Sequence, residues 1–386
     1  MNNKSLTILV TGGAGYIGSF TVKELLDQKY DIVVLDSLEN GHKEAVDPRA
    51  KLEVADLSDK DATEKVFDKY KIDAVIDFAA YLAVGESMEK PKMYVKNNVE
   101  NFVKLLDVMV KKGCKYIIKS STAAVYGNPQ NDSVIPLDED YISKFKPGKS
   151  ALLKGIWQNS EVEGEIFFQK ILELYANIVK PDLYLNEEEI TQLRIPSNVY
   201  GITKMLDEMI LKKYSNKLPI KFISLRYFNA AGADNEGKIG EDHPIETHLI
   251  PLALKNILEG SEFKLMGTDY KTKDGTAIRD YVHVIDLADG HLKALQYLIE
   301  NDNNNIFNLG NGSGYTVNEV IKTIEDLLGK KVDCTIYPRR SGDPDILIAD
   351  SQKAKKILRW SPQYSLEDIV RSAWKWHKNN PRGYLK

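Results

Sequence analysis

In "NVYGITK" (198–204), Tyr200 and Lys204 stand four residues apart. On a helix they share one face, which sets the ammonium near the phenol. A nearby cation favours the phenolate, so a tyrosine that ordinarily titrates near ~10 can serve as a base closer to neutral pH. "SSTAAVYG" (120–127) brings hydroxyls, Thr122 among them, to the end of an apolar run. These groups sit far from the N-terminal glycines and need a scaffold that gathers them.

That scaffold begins in "LTILVTGGAGYIGSF" (6–20), where Gly13, Gly15 and Gly18 follow a predicted strand and open a predicted helix. In this context G-x-G-x-x-G reads as a dinucleotide turn, because glycine permits the tight bend and lets backbone N–H groups approach a pyrophosphate at the helix start. Gly18 also lets helix and strand pack closely. Gly12, Tyr16 and Ile17 complete the expected cofactor surface of this turn. Asp36 closes the next strand, 18 residues after Gly18, placed to accept from a ribose 2′-hydroxyl. A 2′-phosphate is repelled there, which favours NAD over NADP. Asp56, with Leu57 beside it, repeats the arrangement on a third strand, and "DFAA" (77–80) ends a fourth with Phe78, Ala79 and Ala80 facing the same crevice.

Runs at 6–10, 31–36, 51–56, 74–80 and 116–121 alternate with helical patterns at about 16–29, 60–70 and 92–112. The pattern predicts an α/β fold with a Rossmann-type doubly wound parallel sheet. A helix at 200–217 and a strand at 220–228 resume it, and helices at 249–260, 286–300 and 316–329 among short strands read as a smaller C-terminal α/β substrate lobe. The expected division is a 1–230 dinucleotide unit and a 231–386 lobe with some segments returning to the first. A helical insert at about 143–194 interrupts the first unit between Thr122 and Tyr200, and three roles stay open for it: lid, subunit contact or surface subdomain.

The chain has 386 residues, 43% hydrophobic, with a formal net charge of −4 and two cysteines. No dense basic block supports nucleic acid or an anionic membrane as partner. Cys114 and Cys334 lack metal-ligand spacing, and no apolar run suits a signal peptide or a membrane span, so a cytoplasmic protein is expected. His243 and His248 lie close in sequence, but no cysteine or paired carboxylate set is evident beside them, and no metal site is expected.

The stretches "VTGGAGYIGS", "AVGESMEKP", "NNV", "SSTAAVYG", "VYGITK", "LRYFNAAGA", "THLIP", "GTAIRDYVHVIDLADGH", "FNLGNGSGYTV" and "PRRSGDP" together resemble the extended short-chain dehydrogenase/reductase family. The resemblance covers nearly the whole chain except the insert. It implies reversible inversion at C4 of UDP-glucose and UDP-galactose through a 4-keto sugar with tightly held NAD, in a homodimer. Tyr200 would take the O4 proton, Lys204 would hold the nicotinamide ribose and lower the Tyr200 pKa, and Thr122 would hydrogen-bond O4. Asn97 and Phe228 would line the cofactor site. Asn229, His248, Leu249, Met266, Arg279, Arg340 and Asp343 would hold the UDP-sugar, two guanidinium forks suiting a diphosphate.

Departures from the family pattern are also visible. Thr122 stands where some members have serine, keeping the hydroxyl, and Leu82 where some place a lysine near the cofactor. Ala123 and Ala124 occupy the positions of the acid/base pair that 4,6-dehydratases need, and methyl groups transfer no proton. The resemblance would put Leu347 about where the family's sugar-pocket gatekeeper falls, and its bulk there favours unmodified hexoses, with UDP-N-acetylhexosamines, UDP-pentoses and UDP-uronates left open as substrates. A silent NAD-binding regulator is the rival class, against which Thr122, Tyr200 and Lys204 all stand in register.

Overall fold

The computed structural model describes residues 6–129, 135–141, 196–340 and 343–384, and the 143–194 insert lies outside the described residues. The first half alternates β1 (Thr7–Thr11), α1 (Tyr16–Asp27), β2 (Asp31–Asp36), β3 (Lys51–Val54), α2 (Lys60–Tyr70) and β4 (Ala74–Asp77). Short helices α3 (Val84–Glu89) and α4 (Pro91–Tyr94) lead through a π-helical stretch, Val95–Glu100, into α5 (Asn101–Lys112) and then β5 (Tyr116–Thr122). The predicted helix at 92–112 is therefore present, with one wide turn inside it. Such turns recur at functional sites. The remaining core elements of this half are α6 (Val199–Lys217) and β6 (Lys221–Tyr227).

Beyond them come β7 (Asn229–Ala231), α7 (Leu249–Glu259), β8 (Phe263–Met266), β9 (Ile278–His283), α8 (Val284–Asn301), β10 (Asn305–Leu309), β11 (Gly314–Thr316), α9 (Val317–Leu328), β12 (Cys334–Tyr337), β13 (Ile346–Leu347), α10 (Gln352–Ile357) and α11 (Leu366–Asn379). One seven-stranded sheet runs β10-β6-β5-β4-β1-β2-β3, every pairing parallel. Strands buried on both faces need no polar alternation, which is why "ILV" and "IVVL" read as continuous apolar runs. The chain's progression across the sheet reverses between β1 and β4. A crevice opens at their carboxyl ends, where open α/β sheets bind ligands.

Helices cover both faces. On one side Phe102 and Leu106 of α5 meet Ile202, Leu206 and Ile210 of α6; on the other Val22 and Leu25 of α1 pack with Leu287, Leu295 and Leu298 of α8. Each such side chain contributes about 1.5–3 kcal/mol on burial. The predicted strand at 74–80 ends at Asp77 instead. Phe78 still donates its N–H to Thr11 O at 2.9 Å, and the chain then leaves the sheet to lie against Gly12. In the C-terminal part, β7 and β13 run parallel to β9, β11 runs antiparallel to it, and β8 pairs with β12. Helices α7, α9 and α11 share a core of Leu254, Val320, Ile324, Ile369 and Val370.

Candidate active site

The turn after β1 is held by close backbone approach. Gly12 has φ +69°, and a Cβ there would lie 2.8 Å from Ala79 N; a Cβ on Gly18 would lie 2.3 Å from Gly12 O and 2.8 Å from Gly13 Cα. A side chain at either position would force apart the strand, the turn and the helix. Gly15 precedes α1 without any side-chain cap, so the helix presents its first N–H groups to the crevice. This tight turn with uncapped donors is the geometry a pyrophosphate fits. Asp36 is 8% exposed, and its two carboxylate oxygens accept from Ala14 N and Leu38 N, each at 2.9 Å. Burial raises its pKa against those two hydrogen bonds. Phe78, Ala79 and Ala80 lie half-buried where the chain leaves β4, and Asp56 accepts from Ser58 N at 2.7 Å beside buried Leu57. Asn97 lies on the π-helical stretch, Phe228 is buried against Tyr126, and Leu82 is 45% exposed.

On the neighbouring strands, Thr122 ends β5, and Tyr200 and Lys204 occupy the first turns of α6. Asn198 caps that helix by accepting from Gly201 N at 2.8 Å. Gly201 lets the helix settle on the exit of β5, since a Cβ there would meet Ala124 O at 2.7 Å. Ser87, from "AVGESMEKP", accepts from Tyr200 N at 3.2 Å and so fixes the tyrosine from a third element. Asn98 performs a similar tie: it accepts from Tyr81 N at 2.8 Å and donates to Thr203 Oγ1 at 3.1 Å. Burial pushes the Tyr200 phenol up to about 12, while a hydrogen bond with Thr122 and the charge of Lys119 pull it down and Asp207 pushes it up.

The cation acting on Tyr200 thus differs from the expected one. Lys204 donates to Ser120 O at 3.0 Å, with its nitrogen 6.0 Å from the centre of the Tyr200 ring. Burial, and then the neighbouring Lys119, pushes its own pKa down to about 7. Lys119, in the middle of central strand β5, is fully buried between Asp77, at 2.5 Å, and Asp207, at 3.1 Å. Thr11 Oγ1 donates to the other oxygen of Asp77, and the Lys119 ammonium lies 4.0 Å from the Phe102 ring centre. Asp207 makes its ion pair outside hydrogen-bonding geometry, and burial raises its pKa to about 6. Sequence reading missed this triad. A lysine inside an apolar strand was the available signal.

Among the C-terminal strands, Arg279 on β9 donates to Asp343 Oδ1 at 2.6 Å and to Ile278 O at 2.8 Å, and Tyr270 donates to the second oxygen of Asp343 at 3.2 Å. The structure therefore brings Arg279 and Asp343 together as partners of each other. Arg340 is exposed, and it is the adjacent Arg339 that stacks over Tyr270, 4.1 Å from its centre, and pairs with Asp345. Asn229 donates to Asp280 O at 2.9 Å. Leu249 begins α7 with His248 before it, Met266 ends β8, and Leu347 lies half-buried on β13.

Comparison with known proteins agrees with this geometry. Residues 8–150 match the NAD dependent epimerase/dehydratase family, and residues 175–373 match the family described as GDP-mannose 4,6 dehydratase. A UDP-glucose 4-epimerase from Lactobacillus helveticus is 40% identical over 381 residues, covering 98% of this chain and 99% of its own. The chain belongs to the NAD dependent epimerase/dehydratase family. Two solved structures share its fold. The UDP-glucose 4-epimerase of Bifidobacterium longum in complex with NAD+ and UDP superposes with TM-score 0.78 at 33% identity, over 98% of this chain and 100% of that one. The enzyme of Brucella ovis in complex with NAD gives 0.78 at 35%, over 96% and 98%.

One cluster in this family member corrects the reading of its histidines. His243 and His248 do have paired carboxylates beside them: Glu241 Oε1 lies 2.7 Å from His248 Nδ1 and 3.2 Å from His243 Nε2, and Glu246 Oε1 lies 3.2 Å from His248 Nδ1. The overlooked signal is a double Glu-x-His in "GEDHPIETH" (240–248). Tyr16 of the dinucleotide turn borders this cluster, donating to Gly232 O at 2.6 Å with its ring edge toward His243.

Proposed function

We propose that this chain catalyses the reversible C4 epimerisation of UDP-glucose and UDP-galactose with tightly bound NAD. The observation that carries the reading is the Tyr200 phenol close enough to Thr122 for that hydroxyl to lower its pKa, at the carboxyl edge of the sheet that bears the Gly12–Gly18 turn. The turn and the first N–H groups of α1 hold the pyrophosphate, with Tyr16, Ile17, Asp36, Asp56, Leu57, Phe78, Ala79, Ala80, Asn97 and Phe228 around the rest. When bound, NAD supplies the acceptor, and later the donor, of the C4 hydrogen with its electron pair. Tyr200 removes the O4 proton as that hydrogen departs and returns it at the end, so there is no net oxidation. Thr122 holds O4 in line with the phenol. In its ammonium form Lys204 places a second cation, after Lys119, beside Tyr200 and draws the phenol pKa down.

Arg279 leaves Asp343 for the diphosphate, with Arg340 on its outer side and Asn229, the backbone at His248, Leu249 and Met266 toward the uridine and sugar. The functional division into a 1–230 cofactor unit and a 231–386 substrate lobe follows this assignment, and Leu347 restricts the pocket to unmodified hexoses. A homodimer is the assembly we propose, and the cytoplasm the compartment, which suits two free thiols and the absence, among the described residues, of any helix long and apolar enough to cross a membrane. Dehydration lacks support, since Ala123 and Ala124 offer no proton donor.

The test incubates purified protein, with no NAD added, with UDP-galactose and separately with UDP-N-acetylgalactosamine, following the sugars by proton NMR. Conversion of UDP-galactose alone is expected. Conversion of both removes the gatekeeper role of Leu347, and conversion of neither after NAD is supplied overturns the assignment.

A further inference from the structure

Glu241, His243, Glu246 and His248 each offer one ligand atom, and all four atoms lie within 4.8 Å of one another. We propose that these side chains form a zinc site with two nitrogen and two oxygen ligands, which fastens the segment between β7 and α7. Two imidazoles and two carboxylates make a donor set suited to four-coordinate Zn²⁺, whereas Mg²⁺ and Ca²⁺ take mostly oxygen at higher coordination number.

Three features favour a metal over a purely hydrogen-bonded cluster. The first is span. Bonds of about 2.0–2.2 Å in a tetrahedron set ligand atoms about 3.3–3.6 Å apart. The 3.2 Å pair of Glu241 and His243 lies within about 0.1 Å of this range, the 2.7 Å pair has to open, and the widest has to close by little more than an ångström. His248 can supply the motion, because its side chain is 41% exposed.

The second feature is an acceptor with nothing to accept. The Glu246 side chain is only 4% exposed, and its Oε2 has no hydrogen-bond partner among the described residues. Its other oxygen is fixed by Thr247 N at 2.7 Å and His248 N at 2.8 Å, so the carboxylate is held in place with one oxygen unspent. A cation supplies what that oxygen lacks.

Third, the cluster is braced from outside, as metal ligands require. The Glu241 carbonyl accepts from the buried Trp376 indole at 3.0 Å, and the His243 ring lies against Tyr16. The site therefore ties the first turn of α7 to the base of the dinucleotide turn. Its metal holds structure and takes no part in the C4 chemistry.

The experiment reads metal content and stability, neither of which depends on turnover. The full chain is stripped with chelator, equilibrated with zinc chloride, gel-filtered and analysed by plasma mass spectrometry. The expected result is about one zinc per chain, with a thermal midpoint several degrees above that of stripped protein and a loss of at least tenfold in bound zinc for Glu246→Gln and for His243→Ala. Cobalt in the stripped wild type is expected to give the intense visible bands of a four-coordinate ion, which keeps the test valid where a variant misfolds. Zinc far below one equivalent in the wild type, equal zinc in folded variants, or the weak spectrum of six-coordinate cobalt overturns the site.

Discussion

The wall behind Tyr200 and the proposed substrate mouth around Arg279 are both made of opposed charges, yet they are built in opposite ways. Behind the tyrosine, Lys119, Asp77 and Asp207 are wholly buried and hold one another from three core elements. At the mouth, Arg279 and Asp343 have side chains 12% and 31% exposed, and the proposed function has their bond exchange for a phosphate. Buried partners that cannot leave act as a fixed field on whatever stands next to them. Partly exposed partners lose little by separating, and so can recognise a ligand.

Breaking the proton carrier itself gives the largest effect. Tyr200→Phe is expected to lower kcat by about a hundred- to ten-thousandfold, with UDP affinity, measured by calorimetry, unchanged because the mouth is untouched. Next comes the wall. Lys119→Met leaves two buried carboxylates unpaired and is expected to lower unfolding free energy by about 3–5 kcal/mol, read by urea denaturation. Neutralising the whole set in Asp77→Asn/Lys119→Met/Asp207→Asn is expected to regain most of that loss. Equal instability of the triple variant would show that the ion pairs are not what Lys119 contributes.

At the mouth the expected pattern is inverted. Arg279→Gln weakens UDP binding about ten- to a hundredfold through loss of charge-assisted hydrogen bonds, while stability falls less than in Lys119→Met, because Asp343 is partly exposed and keeps Tyr270 as a partner. The smallest effect lies in pH dependence. Folded Lys204 gives up its proton near 7, whereas the unfolded side chain holds its proton to about 10.5. Between those values the unfolded chain binds more protons, so this residue makes stability rise with pH from about 7 upward and costs stability below it. Urea midpoints of NAD-free protein at pH 7 and pH 9 are expected to separate more in the wild type than in Lys204→Met.

The mouth was more legible in the sequence than the wall. Arg279 and Asp343 were named through the stretches that carry the family resemblance, and the structure pairs them with each other, while the glycine turn declares itself by spacing within a strand-to-helix context. Lys119 was hidden because "YIIKSS" reads correctly as a strand, and a strand reading says nothing about which distant residues neutralise a buried lysine; Asp77 lies 42 positions away. Tyr200 and Lys204 were found by their helical spacing, but spacing could not tell that burial takes the ammonium partly out of play. The Glu241–His248 cluster was missed for a different reason: each carboxylate stands two positions before a histidine in the same short segment, rather than as a separate paired set. The parallel, doubly wound sheet was implicit in the strand–helix alternation. The end of β4 was not, because Gly12 decides it from the other side of the switch point.

Asp36 carries a consequence for altering cofactor choice. The carboxylate that would select a ribose hydroxyl also anchors Ala14 and Leu38, and a Cβ at Gly41 would lie 2.8 Å from its Oδ1. Replacing it with a small or basic residue to admit a 2′-phosphate removes the clamp between the glycine turn and the loop after β2 in the same stroke. Redesign toward the phosphorylated dinucleotide therefore calls for a rebuilt 36–42 loop, with new acceptors for two backbone N–H groups, rather than a single exchange of charge.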